Sequence, residues 1–200
     1  MKKINNVIIM ILLIIDAFIT INALRIGVYD RIATYVSLIL VLLLPRILTK
    51  LTILKFTPNL EFIYLLFAIL SDFFGAVLNL YNITHGYDSF AHFIFGAYSV
   101  VLAIMILLKF NKYEPKYILF TIFIIICIST TMSASWEFIE YALDKILKLN
   151  LQHSIDTGVN DTMKDMLIAT FGCLLFCIYY YIDLKDKSKL SKFIVAEYKN

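Results

Sequence analysis

The sequence predicts an all-α fold: a polytopic transmembrane helix bundle of about six spans with both termini cytoplasmic. Three observations predict it. Of the 200 residues, 61% are hydrophobic and only 16% charged, and the mean hydropathy of +0.84 lies far above that of a water-soluble domain. The apolar runs are continuous rather than striped with a period of 3.6, which excludes a bundle of amphipathic helices in water. Lysine and arginine also fall unevenly on alternate loops, as the positive-inside rule requires of a multi-pass protein.

A bilayer core takes about 20 mainly apolar residues per helix, and such segments lie near residues 7–24, 32–48, 60–81, 87–110, 117–143 and 162–183. The first follows Lys2 and Lys3 but contains Asp16 and has no small-x-small cleavage site before Arg25, so it reads as an uncleaved helix. The second is interrupted at Pro45-Arg46 and is expected to be short or kinked. The third carries Glu61 near a cytoplasmic end and Asp72 deeper. Asp16 and Asp72 either hydrogen-bond neighbouring helices while protonated or extend a polar path inward. The fourth begins with Asp88 and His92, the fifth ends in "WEFIEYALD", and the sixth begins with Asp161 and Asp165. Trp136 and tyrosines 81, 87 and 141 are placed as interfacial anchors. Cys127, Cys173 and Cys177 all lie in apolar segments, and the last two, on one helix face, read as small packing residues. Residues 1–184 form one transmembrane helical domain. Residues 185–200 form a basic cytoplasmic tail, solvated near anionic lipid.

Sidedness follows from the cations. One side carries Lys2, Lys3, Arg46, Lys50, Lys55, Lys109, Lys112, Lys116, Lys185, Lys187, Lys189, Lys192 and Lys199; the other has Arg25, Arg31, Lys145, Lys148 and Lys164. The richer side faces the cytoplasm of a cell membrane. The fourth, fifth and sixth spans then bring Asp88, His92, Glu137, Glu140, Asp161 and Asp165 to one level near the outer face, the side on which His85 and His153 also fall.

The spacing gives these acids their meaning. Asp88 and His92 are four apart, as are Asp161 and Asp165, while Glu137 and Glu140 are three apart, so each pair shares one helical face. Eight acids occupy the outer half (Asp72, Asp88, Glu137, Glu140, Asp144, Asp156, Asp161, Asp165) against Lys145, Lys148 and Lys164. Carboxylates short of countercharge must be protonated, solvated or bound to a cation. With one imidazole they suit a divalent metal ion such as magnesium, manganese, zinc or iron. Simpler roles compete: Asp88 and Asp161 stand where an aspartate caps a helix start, and Glu140 and Asp144 can pair with Lys145 or Lys148 at the interface.

From about Leu42 to Tyr180 the chain resembles the YjdF-like family of predicted bacterial multi-pass membrane proteins. The likeness rests on "LLLP" (42–45), "YNITHGYDSFAHFIFG" (81–96), "WEFIEYALD" (136–144), "LNLQ" (149–152) and "GVNDTMKDML" (158–167) followed by Gly172. The order Asp-x-x-x-His, an acid, then Asp near a helix start is more distantly similar to VanZ-like membrane proteins, some of which are associated with glycopeptide resistance. The resemblance implies a site at Asp88, His92, Trp136, Glu137, Glu140, Asp144, Gln152, Asp161 and Asp165. Ala76, after Gly75, stands where the family often has an acid, and Ala169 where it often has Asn or Asp.

Three functions remain open. In a membrane enzyme acting on a lipid or lipid-linked envelope substrate, Asp88, His92, Glu140 and Asp161 are metal ligands and Glu137 or Asp165 is the general base. No Gly-x-Ser-x-Gly or His-Glu-x-x-His motif is present. An ion- or proton-coupled transporter needs carboxylates at several depths, but the chain lacks visible inverted repeats. In a non-catalytic scaffold, or a stress or resistance factor with a membrane-protein partner, the acids cap, pair and fix helix register. The expected surroundings are membrane lipids, with no nucleic-acid partner.

Overall fold

Helices form wherever the sequence keeps an apolar run of span length, and a computed structural model describes them over residues 1–29, 31–147, 152, 158–185 and 189–199. Lys148, residues 149–151 of the "LNLQ" motif, His153, Asp156 and Lys187 lie outside the described residues. The elements are α1 (Lys2–Ile26), α2 (Ile32–Lys50), α3 (Pro58–Ala68) continuing as a π-helix (Ile69–Val77), α4 (Leu80–Ile83), α5 (Tyr87–Lys109), α6 (Ile118–Leu147), α7 (Asn160–Lys185) and α8 (Lys189–Lys199). Among the described residues six helices are long and apolar enough to cross a membrane: α1, α2, α3 with its π continuation, α5, α6 and α7. No strand occurs among the described residues. The chain packs as two compact units, Met1–Tyr87 with Ala196–Asn200, and Asp88–Val195.

In the first unit α1, α2 and α3 pack against one another. Pro45 lies inside α2, which nevertheless runs on to Lys50. Proline has no N–H for the carbonyl four residues back, and that carbonyl, on Val41, accepts a 2.8 Å hydrogen bond from the Tyr64 hydroxyl of α3 instead. The proline is thus absorbed within a full-length span. Glu61, nearly buried, accepts from Asn5 Nδ2 at 2.7 Å and from Arg46 Nε, while Arg46 also donates to Asn6 Oδ1 at 2.6 Å. One polar clamp therefore fixes the register of three helices.

The third span ends at Val77, earlier than expected. Its last stretch is π-helical, Arg31 donates to the Ala76 and Val77 carbonyls at its end, and Asn79 turns the chain out with φ of 69°. Gly75 leaves room for the Tyr81 ring, where a Cβ would collide. The Tyr87 hydroxyl donates to the Leu70 carbonyl at 2.6 Å, and the Ser71 hydroxyl to Asp72 at 2.7 Å. Glu197, near the end of α8, accepts from Thr57 at 2.6 Å and from Asn59 at 2.8 Å.

In the second unit α6 packs along α7, and α5 meets α7 backbone to backbone. A Cβ on Gly96 would overlap the Ala169 carbonyl oxygen, and one on Gly172 the Phe93 carbonyl oxygen. Small residues allow this close approach, which is how helices gain contact in lipid. The tail beyond α7 is helical rather than merely solvated. The Asp183 carboxylate accepts the Leu190 and Ser191 amides at 3.2 and 3.3 Å, satisfying first-turn donors of α8, and Ile194 turns inward and is fully buried. Tyr113, in the link after α5, meets the Tyr180 hydroxyl at 2.8 Å; burial raises its phenol above the ordinary value.

Candidate functional site

Three helices of the Asp88–Val195 unit carry acids at the same end: the start of α5, the last turns of α6 and the start of α7. Asp88 and His92, one turn apart on α5, present Oδ1 and Nε2 to each other at 3.6 Å. Asp165 of α7 places Oδ2 3.9 Å from the same His92 nitrogen. One donor atom from each of Asp88, His92 and Asp165 can be chosen so that all lie within 4.8 Å of one another. A divalent ion bound at about 2.0–2.2 Å needs donors roughly 3–4 Å apart, the range of the two His92 separations. Asp165 is 4% and His92 9% exposed, so the pair is held away from bulk water by the packing that brings α7 against α5.

Glu137, on the buried face of α6, is 3% exposed. Among the described residues neither of its carboxylate oxygens has a partner at hydrogen-bonding geometry, nor does Asp165 Oδ1. The side chains of Gln152 and Thr162 lie close to Glu137, and Asp88, Asp161 and Glu140 are charged groups in its surroundings. A buried carboxylate left without donors is costly, and a cation or a shared proton relieves the cost. The donor set, two carboxylates with one imidazole beside a third carboxylate, fits a hard or borderline divalent ion.

The remaining candidates are nearby but engaged. Asp161 pairs with Lys164 Nζ at 2.8 Å, and the same ammonium lies 3.8 Å from Asp165 Oδ1. Glu140 accepts a 2.8 Å hydrogen bond from the Trp136 indole and feels Glu137, Asp88 and Asp165 as its charged neighbours. Asp144 accepts the Gln152 amide at 3.1 Å, and the Gln152 side chain donates to the Glu137 carbonyl at 3.2 Å; this pair secures the end of α6. The structure thus gathers Asp88, His92, Glu137, Glu140, Asp161 and Asp165 at one end of one unit. It puts Asp165, expected as a base, beside Asp88 and His92, and gives Glu140 and Asp161, expected as ligands, partners of their own.

Other residues fall elsewhere. His85 is exposed. Asp16 and Asp72 belong to the other unit; Asp16 is 3% exposed, with Oδ1 unbonded among the described residues. Sequence reasoning passed over Glu61, whose signal was the Asn5-Asn6 pair opposite it. It also passed over Ser129 and Ser133, whose signal was their four-residue spacing from Glu137.

No curated protein and no solved structure gives a significant match to this chain. Residues 5–186, which take in nearly all of the helices just described, fit the family described as predicted membrane protein (DUF2238), and the chain belongs to that family.

Proposed function

We propose that this protein is a membrane-embedded, metal-dependent enzyme whose site lies near the outer face of the cell membrane and acts on a lipid or lipid-linked envelope substrate. The observation that carries this reading is the convergence of Asp88, His92 and Asp165, one donor each within 4.8 Å, beside the buried Glu137, whose carboxylate oxygens have no hydrogen-bond partner among the described residues. Asp88, His92 and Asp165 would hold a divalent cation, which would supply Lewis acidity to a phosphoryl or carbonyl oxygen. Glu137 would take a proton from the water that attacks that centre and pass it to the leaving-group oxygen as the bond between that oxygen and the centre breaks. Trp136 and Glu140 border the site on the lipid side, where a lipid-borne group would approach; both indole and carboxylate are at least partly exposed. The excess of lysine and arginine on the opposite loops supports the outward orientation, and the five quoted motifs support the finer likeness to YjdF-like proteins.

The Lys164–Asp161 and Trp136–Glu140 pairs favour a positioning role for those two acids. The test is bound-metal content by inductively coupled plasma mass spectrometry of detergent-purified protein loaded with magnesium, manganese, zinc or iron. The expected result is near-stoichiometric metal in the parent and in Glu137→Gln, and loss in monodisperse Asp88→Asn and Asp165→Asn. No bound metal in the parent after loading sinks the reading and leaves the constellation a structural or proton-binding one.

A further inference from the structure

From Glu137 the inner face of α6 stays polar toward the opposite end of the unit. Ser129, Ser133 and Glu137 recur every fourth residue, so they share one face, and they are 2%, 2% and 3% exposed. The Ser129 hydroxyl meets the Ser99 hydroxyl of α5 at 2.5 Å. Cys173 of α7 lies close to both of these serines, and Cys177, one turn on, holds its sulfur 4.0 Å from that of Cys173. Tyr180 follows at 0% exposure. Its hydroxyl meets that of Tyr113, which in turn reaches the Ser191 side chain. Serine hydroxyls, thiols and phenols all both donate and accept a proton.

We propose that this file is a proton pathway through the Asp88–Val195 unit, joining Glu137 at the acidic end to Tyr113 and Ser191 at the other. The Ser133 hydroxyl supports it most directly. It is buried midway between Glu137 and the Ser129–Ser99 pair and has no hydrogen-bond partner among the described residues. One helical turn spans about 6 Å for four residues, a gap that a single water bridges between polar groups. Each hop leaves the file neutral: a hydroxyl or thiol passes its proton forward and takes one from behind, with no change of oxidation state. Glu137 closes the file at one end, with Asp88, Asp161 and Glu140 as its charged neighbours. Asp183 is a carboxylate in the surroundings of Tyr113 at the other. Polar side chains between membrane helices also serve as plain packing contacts, which carry no flux, so the two roles separate cleanly.

The experiment is proton flux into vesicles of the purified full chain, with lumenal pyranine as the probe and a valinomycin-clamped potassium gradient as the drive, in chelator-treated buffer. The expected result is flux at least tenfold above that of protein-free vesicles. It should fall to the protein-free level in Ser129→Ala, Ser133→Ala and Tyr180→Phe and be retained in Ser129→Thr. Ser133→Ala removes a hydroxyl with no hydrogen-bond partner among the described residues, so it keeps the test sharp if another variant folds poorly. Parent flux at the protein-free level overturns the proposal, as does unchanged flux in a monodisperse Ser133→Ala or Tyr180→Phe. The inference does not rest on the metal reading, because the chelator removes metal without touching the file.

Discussion

Asp165 and Asp161 lie one turn apart on the same helix, yet their surroundings assign them different work. Asp161 spends its carboxylate on Lys164 at 2.8 Å, while Asp165 sits beside Asp88 and His92 with one oxygen unbonded among the described residues. Asp165→Asn should therefore weaken metal binding by 10-fold or more, whereas Asp161→Asn should change it only a few-fold; competition with a chelating dye reads both, and equal losses would contradict the assignment. Glu61 makes the complementary case. In sequence it is an isolated acid near a span end, and only folding shows that Asn5 and Arg46 converge on it. Glu61→Gln should lower stability by about 1–3 kcal/mol, discounted because Arg46 is 40% exposed, with metal content unchanged. Thermal unfolding in detergent measures it. Residue types and spacings thus revealed which groups can do chemistry. They could not reveal which oxygen already has a partner, because partners such as Lys164 and Trp136 compete locally with the more distant helices.

Helices were the most legible element because a run of apolar residues long enough to cross a bilayer leaves the backbone no other way to satisfy its hydrogen bonds. Two element-scale features escaped that logic. The π-helix at Ile69–Val77 differs from an α-helix by its hydrogen-bond step and not by its composition, and the helical tail depends on Asp183 reaching forward to the Leu190 and Ser191 amides. Pro45 marked a weak span in the sequence, and the reason α2 survives is the Tyr64 hydroxyl on the Val41 carbonyl. Tyr64→Phe should accordingly cost about 1–3 kcal/mol, and clearly less in a Pro45→Ala background, where a restored N–H takes that carbonyl. A double-mutant cycle by thermal unfolding checks this, and full additivity would show the two groups to be uncoupled. At the α5–α7 contact, Gly96→Val should destabilise at the upper end of ~1–3 kcal/mol, since the atom it would strike is a backbone carbonyl. Loss of metal should accompany that change, because the same contact holds Asp165 against His92.

At the scale of the whole molecule, composition alone announced a membrane protein, and six candidate spans follow from it. The boundary at Tyr87/Asp88 between the two units was not legible, since it coincides with the first residues of a helix and carries no proline, serine or charge run. Sidedness is the property on which the proposed site most depends. In the orientation proposed above, an even number of spans returns both ends of the chain to the same side, and the lysine and arginine excess favours the cytoplasm for it. The starts of α5 and α7 and the end of α6 would then face outward together. A green fluorescent protein fused after Asn200 should fluoresce, and alkaline phosphatase at the same position should be inactive, whereas phosphatase inserted after Gly158 should be active. The reverse pattern would put Asp88, His92 and Asp165 in contact with the cytoplasm. It would replace an envelope-side substrate with a cytoplasmic-leaflet one while leaving the metal prediction intact, because the cation answers to the donor atoms and not to the compartment they face.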